Sequence, residues 1–280
     1  MYQNKTNPSE ELARKISLFS EIDFKVIQRK VEKIGIKLDA YREDYLARRI
    51  SYHFNRSLVS NLNEYFDKLS SDEVFLFDLI DCINVNFSYF FRDFEKFEHL
   101  KQFILPLLMN AFQHRKLKVW SVGCSIGAEI FSISFILKSL NYLESANLVA
   151  SDIDREALLR AKDGKYFLRE MRSLPTEYLN YFTECGEKEF SLDQSIKDAV
   201  KFYLHDISNL NSLNNNKYHL LICRNVVIYF KKELKEKLYS AFYEWLEPGG
   251  ILFIGANESI LGESKNKFQS LGKQFYRKVI

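Results

Sequence analysis

Leu117-Lys118-Val119-Trp120-Ser121-Val122-Gly123-Cys124-Ser125-Ile126-Gly127-Ala128-Glu129 is the stretch on which the reading of this chain turns. Its first six residues are a strand candidate, and an apolar helical run follows from Glu129 to Leu140. Between them, Gly123 and Gly127 allow a sharp turn and a close approach of backbone to a ligand. The glycines do not form Gly-x-Gly-x-x-Gly, and no Walker lysine follows them.

Outward from this turn the pattern repeats. Leu148 to Ser151 reads as a second strand, ending in Asp152-Ile153-Asp154 ahead of a helix from Arg155 to Lys162. Tyr218 to Cys223 is a further strand, followed by a helix from Lys232 to Leu246. Pro248-Gly249-Gly250 turns into the strand Ile251 to Gly255, and Gln274 to Ile280 closes the chain as a last strand. Strands alternating with helices predict an α/β fold, an open and mostly parallel sheet with helices on both faces. The alternation lapses between Gly164 and Phe202, where Glu189 to Leu192 is a short strand and a small inserted β subdomain is expected at about 167–199.

The N-terminal part has a different texture. From about 9 to 82, apolar positions recur at three and four, as in Leu46, Ile50 and Phe54, which predicts helices. Gly35 reads as a helix C-terminal glycine, and Ser70-Ser71-Asp72 as an N-cap for a helix entering at Glu73. The expected division is a helical domain over 1–83, a linker contributing to the active site over 84–95, and a catalytic domain over 96–280.

Composition narrows the class. Of 280 residues 46% are apolar, enough for a sizeable core, yet no apolar run approaches the roughly 20 residues of a membrane span. The N-terminus lacks a charged-then-apolar secretory layout, so a cytoplasmic location and no membrane insertion are expected. Cys82, Cys124, Cys185 and Cys223 and the five histidines are dispersed, and no metal site is expected. A net charge of +3 does not mark a polyanion binder, although nine Lys/Arg face four Asp/Glu between Lys25 and Arg56.

In a sheet of this kind ligands bind beyond the carboxyl ends of the strands. An acid at the tip of the second strand can accept both ribose hydroxyls of a nucleoside cofactor. Asp152 takes that part and Asp154 caps the next helix. Arg224 and Asn225 directly follow a buried strand, which is costly unless they face a cleft or a partner; Arg224 could equally pair with Glu129 and brace the sheet. The linker interleaves Asn86, Ser88 and Arg92 with aromatics, as a binding segment or an aromatic hinge would.

Together these residues resemble the chemotaxis receptor (CheR-type) protein-glutamate O-methyltransferase family. The resemblance rests on six ordered motifs: Asn86-Phe87-Ser88-Tyr89-Phe90-Phe91-Arg92; Trp120 to Ser132; Ala150-Ser151-Asp152-Ile153-Asp154; Gly164-Lys165-Tyr166; Cys223 to Phe230; and Pro248 to Phe253. It implies a Rossmann-like class I methyltransferase sheet and S-adenosyl-L-methionine as cofactor. It further implies methylation of glutamate side chains on the cytoplasmic helices of chemoreceptors in chemotaxis adaptation, by a monomer that binds no nucleic acid. Asn86, Ser88, Arg92, Gly123, Glu129, Asp152, Asp206, Ile207, Cys223 and Arg224 fall where the family contacts the cofactor. Arg92 and Tyr229 fall where it handles the substrate carboxylate.

This chain departs from the family pattern at Ala128, Ile130 and Phe131, at Asp206, at His219 where an aspartate is usual, and at Ala256 in place of a histidine. Two rival readings carry their own signals. Basic residues among aromatics would suit a nucleic-acid methyltransferase, but Arg224-Asn225-Val226-Val227 is not the Asn/Asp-Pro-Pro-Tyr/Phe of exocyclic amine methylation. The departures would suit a cofactor-binding module without activity, while retention of Asn86, Arg92, Glu129, Asp152, Arg224 and Tyr229 argues for an enzyme. Arg42, Tyr45, Arg49, Tyr52 and Arg56 fall on one helical stripe, which would guide acidic receptor helices or be an ordinary solvated face with arginine stems over the core edge.

Overall fold

The computed structural model describes residues 21–32, 38–83, 88–113, 115–210 and 216–279. The expected helix over residues 9–20, the capping Gly35 and the linker residue Asn86 lie outside them. The chain divides into two compact units. The first takes the described residues up to Ile83 together with Tyr229–Lys231; the second takes Ser88 to Ile228 and Lys232 to Val279.

The first unit is helical: α1 (Glu21–Glu32), α2 (Glu43–Arg56), α3 (Leu62–Ser71) and α4 (Glu73–Ile83). Ile27, Val31, Ile50, Tyr65, Leu69 and Leu79 are its buried centre. Asp72 caps α4 as its sequence predicts, its carboxylate accepting the Phe75 N–H at 3.1 Å. Tyr229–Lys231 runs beside Ala40–Arg42, with Arg42 N–H donating to the Tyr229 carbonyl at 2.9 Å and Lys231 N–H to Ala40 at 3.0 Å.

The α2 stripe is not a uniform exposed face. Tyr45 is buried and its hydroxyl donates to the Ile83 carbonyl, while Arg49 Nε donates to the Cys82 carbonyl, so both satisfy the C-terminal end of α4. Arg42 pairs with Asp44 at 2.6 Å and Arg56 with Asp78 at 2.5 Å. Tyr52 stays open to solvent between Arg49 and Arg56.

The second unit opens with a helical stretch from Phe94 to Ala111, α5, whose middle residues Leu100–Ile104 are wound as a π-helix. Then come β1 (Leu117–Val122), α6 (Ala128–Ser139), β2 (Ala146–Asp152), α7 (Arg155–Asp163), β3 (Lys165–Phe167), α8 (Leu168–Met171), β4 (Phe182–Gly186), β5 (Glu189–Leu192), α9 (Gln194–Asp198), β6 (Val200–Leu204), β7 (Tyr218–Cys223), α10 (Lys232–Trp245), β8 (Leu246–Ile254), β9 (Phe268–Ser270) and β10 (Phe275–Lys278). The main sheet has the order β6-β2-β1-β7-β8-β10-β9. Its first five strands are parallel, and β10 and β9 are antiparallel additions. Strand order reverses between β1 and β7, which places a crevice at their carboxyl ends.

This is the predicted Rossmann-like α/β architecture, with the small β insertion present as a separate sheet, β3-β5-β4. Val200–Leu204 does not belong to that insertion: it is the edge strand of the main sheet, paired with Leu148–Asp152. Val200 and Phe202 pack inward while Lys201 and Tyr203 are exposed, an alternation of four residues too short to set the strand apart from the irregular stretch before it. Helix α6 is buried nearly all round. Ala128, Ile130 and Phe131, the departures from the family pattern, supply apolar surface there.

Candidate active site

The loop after β1 is shaped by its neighbours. Gly123 N–H and Cys124 N–H both donate to the Ser151 carbonyl, at 2.8 and 3.0 Å, which folds the loop over the end of β2. Gly123 has φ +68°, and a Cβ there would stand 2.3 Å from a methyl of Val226. Only glycine fits both constraints. Gly127, at φ +79°, starts α6 against the ring of Phe131. The Tyr166 hydroxyl donates to the Ile126 carbonyl at 2.7 Å, giving the tyrosine of Gly164-Lys165-Tyr166 a loop-holding part that the sequence did not disclose.

Asp152 is buried at the tip of β2. Its carboxylate accepts Ser125 N–H at 2.6 Å on one oxygen and Asp154 N–H at 2.9 Å on the other. Burial pushes its pKa up to about 6 against the pull of those backbone donors, so it is ionised at neutral pH. A carboxylate offers about four acceptor sites, so two engaged N–H groups leave capacity for hydroxyl donors. Asp154 accepts Ala157 N–H at 2.9 Å and caps α7, as expected. The Asp152 carbonyl takes His205 N–H at 2.8 Å and so tethers the turn carrying Asp206 and the buried Ile207. Asp206 accepts Ser208 N–H at 2.8 Å.

At the tip of β7 lies a second charged group of residues. Cys223 is fully buried, and burial pushes its thiol pKa well up. Arg224 reaches Glu129 Oε2 at 3.1 Å, Asp93 Oδ2 at 2.6 Å and the Arg92 carbonyl at 3.1 Å, with its side chain 2% exposed. The other Glu129 oxygen accepts the Ser121 hydroxyl at 2.9 Å. The brace and the site are therefore one object: the arginine that pairs with Glu129 also holds the backbone of Arg92. Lys96, buried in α5, stands 3.6 Å from Asp93, and burial together with the nearby Arg224 lowers its pKa.

The segment leading to Arg92 is anchored twice more. Phe90 N–H donates to the Glu170 carbonyl at 2.9 Å and Phe91 N–H to Ser132 Oγ at 3.0 Å. Phe91 at φ +52° and Asp93 at φ +62° are left-handed, a conformation costly for a phenylalanine and retained only where surroundings impose it. Ser88 and Arg92 are half-buried on this segment.

Glu258 escaped the sequence reading. It is buried, and its two oxygens accept N–H groups of Asn225, Val226, Val227 and Gly255 at 2.6 to 3.1 Å. Burial raises its pKa while these donors lower it. The glutamate thus stands in for a missing stretch of secondary structure after β7. Tyr229, a candidate catalytic residue, is grouped with the first unit, its ring 4.6 Å from that of Tyr45. The remaining described candidates, Ser88, Arg92, Gly123, Glu129, Asp152, Asp206, Ile207, Cys223 and Arg224, all lie in the second unit.

Residues 86–277 match the family described as the CheR methyltransferase, SAM binding domain. This chain belongs to that family. The chemotaxis protein methyltransferase of Listeria monocytogenes serovar 1/2a is 32% identical over 261 residues, covering 92% of this chain and 98% of the relative. Chemotaxis protein methyltransferase 1 of Pseudomonas aeruginosa is 31% identical over 249 residues, covering 85% and 90%. The chemotaxis protein methyltransferase of Borreliella burgdorferi is 29% identical over 247 residues, covering 84% and 86%.

S-adenosylmethionine, the cofactor of CheR methyltransferases, matches the donor set of the second unit. Its ribose hydroxyls and ammonium are donors and its sulfonium is a cation, and the tip of β2, the turn after β6 and the first turn of α6 offer the carboxylates Asp152, Asp206 and Glu129. Its own carboxylate needs a cation, and Arg92 is on the adjoining segment. The positive-φ turn Gly123, Ser125 and Gly127 brings backbone rather than side chains to the end of β1.

Proposed function

We propose that this protein transfers a methyl group from S-adenosylmethionine to glutamate side-chain carboxylates of chemoreceptors, forming glutamate methyl esters in chemotaxis adaptation. The observation that carries this reading is the fixed placement of Arg92. Three anchors from α8, α6 and β7 hold its segment in the same unit as Asp152, Asp206 and Glu129.

When bound, the cofactor supplies a methyl group on a sulfonium. The residues need only hold and orient. The accepting carboxylate is already an anion and the leaving thioether is neutral, so no general base is demanded. Asp152 accepts the sugar hydroxyls, with Glu129 and Asp206 as further acceptors, and the Gly123–Gly127 turn lets backbone approach. Arg92 orients a carboxylate through its planar fork. Too tight an ion pair would blunt the nucleophile, so orientation is its contribution.

The receptor is met by the first unit, where Tyr52, Arg48 and Arg56 of α2 are open to solvent, the two arginines exchanging their pairs with Asp44 and Asp78 for acidic side chains of the receptor helix. Among the described residues no helix is long and apolar enough to cross a membrane. We place the reaction on the cytoplasmic part of the receptor, with the enzyme as a monomer. The test is transfer of labelled methyl to membranes containing the cognate chemoreceptors. Label released as methanol by alkali supports the reading. Alkali-stable label, or none, refutes it.

A further inference from the structure

Asp93 stands where an aspartate ordinarily caps a helix, yet its side chain caps none of the α5 N–H groups. Its backbone is left-handed, at φ +62°, and its carboxylate faces two cations instead. One is Arg224, whose Nη2 reaches Asp93 Oδ2 at 2.6 Å and the Arg92 carbonyl at 3.1 Å. The other is Lys96, one turn into α5, whose Nζ lies 3.6 Å from that same Oδ2. This is an ion pair beyond hydrogen-bonding reach, and the buried ammonium has no hydrogen-bond partner among the described residues.

A buried cation is costly, and charge is the one thing Lys96 contributes at that distance. Arg224 is shared between two carboxylates, Asp93 and Glu129, and a single guanidinium cannot balance both. Lys96 is the second cation. The Asp93 side chain is 34% exposed against 2% for Arg224, so water competes for the carboxylate. Were it to turn outward, Arg224 would lose a bond that keeps its Nη2 beside the Arg92 carbonyl. Burial and Arg224 lower the Lys96 pKa, while Asp93 and Glu258 favour its ammonium form.

We infer that Lys96 is a positioning residue for methyl transfer, its charge keeping the Asp93 carboxylate turned inward on Arg224, which in turn fixes the backbone of Arg92. This rests on the part given to Arg92 in the proposed function and adds a link behind it. Lys96 N–H also donates to the Asp93 carbonyl at 2.8 Å, so the backbone of the turn is held whatever the side chain is. What the side chain adds is the tether on the carboxylate. A neutral side chain of similar length fills the space and leaves Asp93 to solvent.

The test uses the full chain, labelled S-adenosylmethionine and the purified cytoplasmic fragment of a cognate chemoreceptor. Lys96→Met keeps the length, removes the charge and lowers kcat about tenfold, with KM for the fragment within about twofold. Lys96→Arg, which keeps the charge, restores kcat to within about threefold of wild type. Asp93→Asn removes the group through which Lys96 acts and alone lowers kcat by a similar factor. In that background Lys96→Met costs less than about twofold more. The inference is overturned if folded Lys96→Met retains wild-type kcat, if its loss appears in KM instead, or if folded Lys96→Arg is no better. It is equally overturned if the loss is undiminished beside Asp93→Asn, or if Asp93→Asn alone turns over as wild type, a result that needs no Lys96 variant. Should the wild-type protein itself fail to methylate the fragment, the proposed function fails and takes this inference with it. An active wild type with an indifferent Lys96→Met sinks the inference alone.

Discussion

Arg224 Nη1 lies 3.1 Å from Oε2 of Glu129, joining the tip of β7 to the first turn of α6 through an ion pair that is almost dry on the arginine side. Its second amino group bonds Asp93 and the Arg92 carbonyl, so one side chain ties three separated segments. Removing one partner of such a pair leaves the others uncompensated. Arg224→Met is expected to cost about 3 kcal/mol in urea unfolding. The double variant with Glu129→Gln should cost less than the two single losses added together, by about 1 kcal/mol. Strict additivity would show that the pair does no bracing.

Glu258 gathers four backbone N–H groups, three of them from the turn after β7. Glu258→Gln keeps the shape but turns an amide towards donors and leaves buried N–H groups unmet. The expected loss is about 3 kcal/mol in thermal or urea unfolding, with weaker cofactor binding by calorimetry because the Arg224 turn loosens. A variant as stable as wild type would mean that the turn holds itself.

His219 gives a pH test. It is fully buried, its Nδ1 accepts Lys118 N–H at 3.0 Å, and its ring stacks on Phe112 with centroids 3.9 Å apart. Burial, aided by Arg115, lowers its pKa from 6.5 to about 4. The folded protein holds the neutral ring, so this stabilisation is complete above pH 6.5 and is lost as pH falls towards 4. The loss amounts to about 3 kcal/mol, at roughly 1.4 kcal/mol per pH unit. Asp152, raised to about 6, works in the opposite direction over part of that window. The contribution is therefore read by difference: His219→Asn keeps an acceptor for Lys118 and should flatten the acid limb of unfolding between pH 6.5 and 4. Parallel wild-type and variant curves would contradict it.

Arg92 is half-buried and its backbone carbonyl is held by Arg224. Arg92→Ala should cut methyl transfer at least tenfold, about 1.4 kcal/mol or more of lost orientation, while its unfolding midpoint stays near wild type. Wild-type turnover from this variant would remove Arg92 from the reaction.

Much of the sheet was legible because its strands are buried on both faces and read as short apolar runs between turns. Tyr218–Cys223 and Leu117–Val122 form where the sequence predicts them. The Asp154 and Asp72 caps were equally legible, since a cap bonds an N–H only three residues away. The edge strand Val200–Leu204 was not, because its alternation is only four residues long and its pairing with β2 lies outside the local pattern. Tyr45 looked like part of an exposed stripe, and the carbonyl end of α4 together with the rings of Tyr41 and Tyr229 explains why it is buried.

The sequence by itself determined the α/β alternation, the glycine turn after β1, the acid at the tip of β2 and membership of a methyltransferase family, all of which depend on local pattern and short spacing. Tertiary structure alone decided that Glu258 cradles the β7 turn and that Arg224 holds the Arg92 backbone. Those partners are separated by 31 to 132 positions or come from elements ordered by strand pairing, and no periodicity along a chain encodes which distant groups folding will bring within 4 Å.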